Sequence, residues 1–560
     1  MITPFPEFNT LDFPTPSRES LDQAYAVIGE SLESGDIASA VALFDTQRRA
    51  YESWSALVEL RFAQDTRNAD YVAARDYADT LTPYATGLET DIKKRLLATR
   101  EETAKHLSAH VLSLWEADIT TFDERIESML AEEARLCAEY TALLAAAEIP
   151  FRGETHNLSG IEPFQQESDR ATRHEAEAAR WGFYEANGET LDRIFDDLVR
   201  VRVAMAQTLG FNSYVELGYR RMRRTDYTAA DVARVRERIA THVTPLVQAL
   251  LQRRQLEMGW DSLKAWDEAL VDPRGNPGPA GDYDLMITRA REMFSRLDES
   301  GEMAAFFAEM VERNYVDLKN RGGKAGGGFC TSFSTQGTPF IFANFNGTHG
   351  DIGVFTHEMG HAYQNWKSRS QPVIDMLWPT MEAAEIHSMG LEFLTWPEID
   401  LLVEDGAGER YRRLHLIESL CFLPYGACVD HFQHEIYAHP DMTPQERHAT
   451  WRRLEQQYMP WRDWGDLAYP AKGGRWQAQR HIYNSPFYYI DYTLALCVAL
   501  QIWLIAQVDA PRALDLYRGL CEVGGSEAFC TIVRQAGLTV PFEDDALAEI
   551  VHEAEQMLMM

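Results

Sequence analysis

Long runs of helical spacing, with few glycines or prolines, dominate the start of the chain. Residues 21–144 are rich in Ala, Leu, Glu and Arg, and apolar residues recur there at the spacing of an amphipathic helix. Within this block, residues 92–115 and 125–147 each predict one long helix. A further helical block covers residues 168–209 and stops at a turn over residues 210–212. This pattern predicts a mainly α protein.

A glycine cluster at residues 322–328 interrupts the helical pattern and precedes two strand-like segments. The sequences CTSFS and PFIFANF follow at residues 330–334 and 339–345, and helical spacing returns at about residue 353. Aromatic and β-branched residues of this kind favour pleated, half-buried strands. We therefore predict one small sheet, placed immediately before the segment richest in reactive side chains.

The charge balance of the chain argues against anionic partners. Lys and Arg total 53 against 86 for Asp and Glu, which gives a formal net charge of −33. Such an acidic surface repels nucleic acid and anionic lipid, so we expect no nucleic-acid partner. The one dense basic run, RRMRR at residues 220–224, is interpreted as a solvated helix end.

Cysteine usage and the N-terminal sequence together indicate a cytoplasmic protein. The seven cysteines are scattered and include no CxxC pair, which predicts neither a disulfide framework nor a zinc finger. The first 14 residues lack the basic and apolar regions of a secretory signal. The most apolar stretch, residues 492–508, is shorter than the roughly 20 residues that span a membrane. We predict a buried helix there and no membrane partner.

The sequence HEMGH at residues 357–361 carries the strongest chemical signal. Its histidines, His357 and His361, are four residues apart, so on a helix both imidazoles lie on one face and can reach one Zn²⁺. Glu358 can reach a water molecule at that site and accept its proton. The preceding strand is expected at a sheet edge beside the zinc, where Ala343 and Asn344 would pair with the backbone of an extended peptide.

A catalytic zinc needs a third protein ligand beside the two histidines. Glu385 and Glu392 are seven residues apart in a later helical stretch, and therefore lie on one face two turns apart. One of them can bind the metal while the other orients a ligating histidine from behind. Glu382 shares that face and is the rival ligand. We favour Glu385 as the ligand.

In these residues the chain resembles the thimet oligopeptidase (M3) family of zinc peptidases, and within it the oligoendopeptidase F and Pz-peptidase-like branch. HEMGH is followed by the pattern ExxSxxxE at residues 385–392. Three further stretches agree with that branch: GGGFCTSF at 326–333, PFIFANFNGTHGDIGVFTHEMGHAYQ at 339–364 and HIYNSPFYYIDY at 481–492. The resemblance covers residues from about 169 onward, and the helical N-terminal part more loosely.

The resemblance implies a zinc metalloendopeptidase that hydrolyses internal peptide bonds of short oligopeptides. It implies a zincin-like helical body with a small sheet beside the zinc helix and a deep substrate channel. Residues 1–160 would form an N-terminal helical region and one channel wall, and residues 161–560 the catalytic domain. One Zn²⁺ per chain would be held by His357, His361 and Glu385. Glu358 would be the general base, and Glu392 would orient one of the ligating histidines without binding the metal.

The C-terminal motif is expected to supply hydrogen-bond donors to the substrate carbonyl and its oxyanion. The resemblance assigns this role to His481 and Tyr488. The alignment is ambiguous because Ile490 falls where mammalian-type members carry a tyrosine. Tyr489 and Tyr492 are expected to contact the substrate, and the oxyanion donor could be any of Tyr483, Tyr488, Tyr489 and Tyr492.

Two other functions remain open at this point. A zinc carboxypeptidase of related helical fold also carries HExxH, and it would trim peptides from their C-terminus. A protein that binds peptides without cleaving them would need to have lost Glu358, which is present. Cleavage of a peptide blocked at both ends separates these alternatives from an endopeptidase.

Overall fold

The N-terminal helical block forms a layer of helices that begin at polar capping residues. A computed structural model of the chain describes residues 4–543 and 546–559. The side chains of Ser17, Asp36, Asn68 and Ser108 accept hydrogen bonds from backbone N–H groups of the first helical turns. The helices of this layer are α1 (Arg18–Glu33), α2 (Ile37–Gln64), α3 (Ala69–Ala98), α4 (Arg100–Thr103), α5 (Ala109–Thr121) and α6 (Glu127–Ala145).

The predicted helix over residues 92–115 is wrong in its bounds. Helix α3 ends at Ala98, and α5 starts only after its N-cap Ser108. The prediction over residues 125–147 is confirmed by α6, and the block over residues 168–209 is confirmed by the long helix α8. Gly210 ends α8 with φ of 84°, a left-handed conformation that favours glycine.

The middle of the chain adds helices that pack around the central core. They are α7 (Glu162–Gln165), α8 (Arg170–Leu209), α9 (Tyr214–Arg221), α10 (Ala229–Arg238), α11 (Thr244–Glu257), α12 (Tyr283–Leu297) and α13 (Glu302–Glu312). The C-terminal part is helical as well, which confirms the mainly α prediction. Its helices are α14 (Gly350–Ser368), α15 (Met381–Leu394), α16 (Gly408–Ala438), α17 (Pro444–Tyr458), α18 (Ala468–Ala471), α19 (Arg480–Asn484), α20 (Tyr489–Val508), α21 (Ala510–Val523), α22 (Phe529–Gln535) and α23 (Ala546–Met559).

Two small sheets lie among the helices of the described residues. A hairpin pairs β1 (Ile149–Phe151) with β2 (Glu154–His156). The second sheet contains β3 (Val316–Lys319), β4 (Phe329–Phe333) and β5 (Thr338–Phe345) in the order β3-β5-β4. Strand β5 runs parallel to β3 and antiparallel to β4, so it is the central strand. The second sheet precedes α14, as the glycine cluster and the two strand-like segments predicted.

Helix α15 packs against both α14 and α20 in the core. Gly360 of α14 permits the close crossing with α15, because a Cβ atom at this position would lie 2.4 Å from the carbonyl oxygen of His387. Helix α20 is long and apolar enough to span a membrane, yet most of its residues are buried inside the protein. The predicted buried helix is therefore confirmed, and it begins at Tyr489.

A buried ion pair joins the N-terminal helices to the segment between α14 and α15. Arg48 of α2 binds both carboxylate oxygens of Asp375, with Nη2 2.9 Å from Oδ1. The indole nitrogen of Trp115 on α5 donates to Oδ2 at 3.1 Å. Burial disfavours the charged form of Asp375, but the charge and hydrogen bonds of Arg48 outweigh that cost and hold the pKa of this carboxyl well below its usual range.

Asp375→Ala is expected to lower the free energy of unfolding by about 3–5 kcal/mol, because the buried Arg48 loses its close partner and keeps only the 3.5 Å contact of its Nε with Glu89. Folding lowers the pKa of Asp375, so its contribution is complete above its unfolded pKa of about 3.9 and is lost as the pH falls toward the folded value. Urea unfolding at several pH values measures both effects.

Glu33, which is 77% exposed and 3.7 Å from Arg95, is the control: Glu33→Ala should cost less than about 1 kcal/mol. Equal stability of the two variants would contradict the prediction.

The interpretation of residues 220–224 as a solvated helix end holds for Arg220 and Arg221, which are exposed at the end of α9, and is wrong for the buried Arg224. Arg221 pairs with Glu133 at 2.9 Å, Arg223 contacts Asp118, and Arg224 is buried against Asp491 at 2.6 Å. These carboxylates come from α5, α6 and α20, far away in sequence. Charge composition alone could not show that the fold would bury Arg224 or supply carboxylate partners for Arg221 and Arg223.

Candidate active site

Three predicted residues meet where α14 crosses α15. His357 and His361 lie one turn apart on α14, and both direct Nε2 toward Glu385 of α15. Glu385 Oε2 lies 3.2 Å from His357 Nε2 and 3.3 Å from His361 Nε2. Among the described residues, this is the one group of three His, Cys, Asp or Glu side chains whose ligand atoms lie within 4.8 Å of one another.

The spacing of these atoms fits a zinc ion. Tetrahedral coordination with bonds of about 2.0–2.1 Å places neighbouring ligand atoms about 3.3 Å apart, close to both separations of Glu385 from the imidazoles. Two imidazole nitrogens and one carboxylate oxygen are a donor set that catalytic zinc sites use, with a further position left for water or substrate. The donor chemistry therefore fits the metal that the sequence predicts.

Glu392 fixes the orientation of His357 from the side of the imidazole opposite Nε2. Its Oε1 accepts a hydrogen bond from His357 Nδ1 at 2.7 Å, which leaves the lone pair of Nε2 free to bind a metal. Its Oε2 lies 2.7 Å from His415 Nε2, and Trp396 donates to His415 Nδ1 at 3.1 Å. The sequence analysis predicted that Glu392 would orient a ligating histidine, but no motif indicated a role for His415 or Trp396.

Glu358 follows His357 on α14 and is 5% exposed. Burial raises the pKa of its carboxyl, while the neighbouring His357 and His361 act to lower it. Its Oε2 has no hydrogen-bond partner among the described residues, so a water molecule could bind it. Gly328 immediately precedes β4, and a Cβ atom there would lie 3.3 Å from Oε1.

The rival ligand Glu382 does not join the site. Thr380 Oγ1 donates to its Oε1 at 3.0 Å, and its charged neighbours are Asp491 and Arg224 rather than the histidines. Burial raises the pKa of the Glu382 carboxyl. The structure therefore brings Glu385, and not Glu382, to the two imidazoles.

The C-terminal motif reaches the same centre. The Tyr488 hydroxyl donates to Glu385 Oε1 at 2.5 Å, and the Tyr492 hydroxyl lies 3.5 Å from His481 Nε2. The rings of Tyr488 and Tyr492 are 4.9 Å apart, and that of Tyr489 is 5.0 Å from His481. Burial and the adjacent Arg480 lower the pKa of His481 to about 4, so its imidazole is neutral at neutral pH.

Tyr483 lies outside this cluster. Its ring stacks on Tyr140 at 3.9 Å, and its hydroxyl donates to the carbonyl oxygen of Leu191 at 3.3 Å. A fully buried tyrosine in such contacts packs in the core and is not free to meet a substrate. The choice of oxyanion donor is thereby reduced to the tyrosines that face His481 and Glu385.

The expectation that this strand lies at a sheet edge is wrong, because β5 is the central strand of its sheet. Ala343 and Asn344 lie beyond Phe342, the last residue of β5 that pairs with β4, and their pairing with a substrate stays a prediction. The carbonyl oxygen of Ala343 accepts a hydrogen bond from Lys324 Nζ. The amide of Asn344 donates to the carbonyl oxygens of Ala325 and Gly327, each at 2.8 Å. These residues brace the glycine-rich loop, and β4 is the strand at the edge beside Glu358.

The fold and the site together define a class of protein. A mainly helical body, a small mixed sheet and two crossing helices that join an HExxH motif to a downstream glutamate are the features of a zincin-like metallopeptidase. The chain belongs to peptidase family M3. The model of Peptidase family M3 matches residues 164–295 and 300–552, and that of the Peptidase M3 N-terminal domain matches residues 8–122.

Solved structures agree with this assignment over the whole chain. A structure described as an oligoendopeptidase F is 40% identical, with a TM-score of 0.96 and 99% of each chain covered. PZ peptidase A with an inhibitor is 38% identical, with a TM-score of 0.96 and 99% of each chain covered. An oligoendopeptidase F from Bacillus anthracis is 37% identical, with a TM-score of 0.91 and coverage of 100% of this chain and 99% of that one. No curated protein matches the chain. The family resemblance of the sequence is confirmed.

Proposed function

We propose that the chain is a zinc-dependent oligoendopeptidase, with one Zn²⁺ per chain, that hydrolyses internal bonds of short peptides. The observation that carries the proposal is the meeting of His357, His361 and Glu385 beside the unpartnered carboxylate oxygen of Glu358. Relatives named oligoendopeptidase F and PZ peptidase A support the substrate class. The channel wall formed by residues 1–160, the catalytic domain of residues 161–560 and the cytoplasmic location stay predictions.

Two of the ligands, His357 and Glu385, each have one atom that is held by a neighbouring side chain and another that is free to bind zinc. His357 presents the lone pair of Nε2 because its Nδ1 proton is bound to Glu392. Glu385 presents Oε2 to the metal while Oε1 accepts the hydrogen bond of Tyr488. When bound, zinc supplies a Lewis acid that polarises a carbonyl group and acidifies water.

The remaining chemistry belongs to side chains around the ligands. Glu358 accepts the proton of the attacking water at its free Oε2 and transfers it to the leaving amine. His481 and the tyrosines that face it donate hydrogen bonds to the oxyanion that develops on the substrate. Burial raises the pKa of Tyr488 and Tyr492 above the ordinary value, so both keep their hydroxyl protons at neutral pH. His481, neutral at that pH, retains one N–H group.

A ten-residue peptide with an acetylated N-terminus and an amidated C-terminus tests the proposed function. The zinc-loaded protein is expected to cut it internally, and mass spectrometry should show a pair of complementary fragments. Reduced, unfolded casein is the length control, because the proposed channel should exclude chains much longer than roughly 20 extended residues. A chelated sample excludes metal-independent cleavage.

Each other outcome of this experiment has a definite meaning. The same peptide with a free C-terminal carboxylate is tested in parallel. Trimming of this peptide alone, with the blocked peptide left intact, would identify a carboxypeptidase. Binding without any cleavage would identify a peptide-binding protein. Loss of casein at a rate comparable to that of the peptide would contradict the channel.

A further inference from the structure

A chain of two hydrogen bonds connects the core to His481. Tyr425 of α16 donates its hydroxyl proton to Gln479 Oε1 at 2.7 Å. The amide nitrogen of Gln479 lies 2.7 Å from His481 Nδ1. Gln479 immediately precedes α19, the short helix that carries His481. The sequence motif at residues 481–492 does not include Gln479, and the function described so far assigns no role to it or to Tyr425.

The direction of these hydrogen bonds decides which ring nitrogen of His481 carries the proton. Tyr425 is 9% exposed, and Gln479 is its hydrogen-bond partner in the described part of the chain. Donation from the hydroxyl makes Gln479 Oε1 the acceptor and turns the amide NH₂ group toward the imidazole. An amide nitrogen can only donate, so His481 Nδ1 must accept. The single proton of the neutral ring is then on Nε2.

Nε2 is the nitrogen that faces the metal centre. It lies 3.5 Å from the hydroxyl of Tyr492, whose ring packs on Tyr488, and the Tyr488 hydroxyl is bound to Glu385. A protonated Nε2 can donate to an oxyanion in this space. An imidazole with its proton on Nδ1 would present a lone pair to the same negative charge and repel it.

We propose that Gln479, held in orientation by Tyr425, is a positioning residue that keeps the proton of His481 on Nε2 and so makes this histidine an oxyanion donor. The inference rests on the proposed function, because the donor matters only if the site hydrolyses peptides. The class of ligand is the tetrahedral oxyanion of an acyl-transfer reaction. Tyr425 and Gln479 act on it through His481 and do not touch it.

Gln479→Glu tests the proposal with a nearly isosteric side chain. Its carboxylate can only accept, so it should draw the imidazole proton to Nδ1 and leave Nε2 without a donor. We expect kcat on a ten-residue peptide to fall about 10²–10³-fold with little change in KM, the loss typical of one oxyanion donor. Tyr425→Phe frees the amide to rotate, and its kcat should lie between that of Gln479→Glu and the wild type.

A matched control exists on the surface. Gln556 Nε2 lies 2.7 Å from His552 Nε2 on the exposed face of α23, so Gln556→Glu introduces the same chemistry away from the site. This variant should keep wild-type kcat. Equal kcat losses in Gln556→Glu and Gln479→Glu would show a general effect of added charge and would overturn the proposal.

The position of the proton can be read without activity. Nitrogen-15 NMR of the metal-free protein with labelled histidines, with the His481 signals assigned from their loss in His481→Ala, should show Nε2 protonated in the wild type and Nδ1 protonated in Gln479→Glu. A wild-type protein with the proton on Nδ1 would overturn the proposal, as would an unchanged kcat in Gln479→Glu. Failure of the wild type to cleave any peptide would instead contradict the proposed function, while the NMR result would still decide the tautomer.

Discussion

Glu358→Gln is expected to bind about one zinc per chain and to lose at least about 10³ in kcat. The amide keeps the size of the side chain but cannot accept the proton of the attacking water, while His357, His361 and Glu385 stay in place. Metal analysis of the purified variant and steady-state kinetics on a fluorogenic peptide measure the two properties separately.

Glu302→Gln provides the control for this experiment. Glu302 lies on α13. It accepts hydrogen bonds from Tyr363 and Lys367 of α14, the helix that carries Glu358, and not from the histidines of the candidate site. Its variant should turn over at close to the wild-type rate. Near-normal turnover by metal-loaded Glu358→Gln would falsify the assignment of the general base.

Glu385→Ala is expected to cause the largest loss of zinc affinity of any single change on α15. It removes an oxygen that lies within 3.3 Å of both imidazole nitrogens, so two ligands remain where three were arranged. Glu392→Ala should weaken zinc binding by about 10–100-fold, as is typical when a residue that orients a ligand is lost. Competition with a chromophoric chelator measures these affinities.

Glu382→Ala is the matched control, because it also removes a buried glutamate from α15. Its carboxylate contacts Thr380 and not the histidines, so zinc affinity should be nearly unchanged. If metal titration showed Glu382→Ala to be the most severe of the three variants, the choice of ligand on α15 would be reversed.

Much of the metal site could be predicted because its pattern is local. The spacing of HEMGH places His357 and His361 on one helical face whatever surrounds the helix, since 3.6 residues complete each turn. The same periodicity relates Glu385 to Glu392. The long α6 and α8 were also predictable, because apolar periodicity and end signals such as Gly210 depend on nearby residues alone.

Residues that act through distant contacts could not be predicted in this way. His415 and Tyr425 carry no motif, and each acts through a partner well separated in the chain, Glu392 for His415 and Gln479 for Tyr425. The burial of Arg224 depends on Asp491, which lies 267 residues later in the chain. No local pattern reports a contact of that separation.

By itself the sequence determined that the chain is mainly helical, that His357 and His361 share one helical face where both could bind a metal, and that the candidate third ligands lie on a later helix. Only the tertiary structure decided that Glu385 and not Glu382 meets the histidines, since both share one face of α15 and the crossing at Gly360 selects between them. It also decided that β5, which the sequence placed at a sheet edge, is the central strand. Helical periodicity is a property of neighbouring residues, whereas helix crossings and strand order arise from packing between segments far apart in the chain.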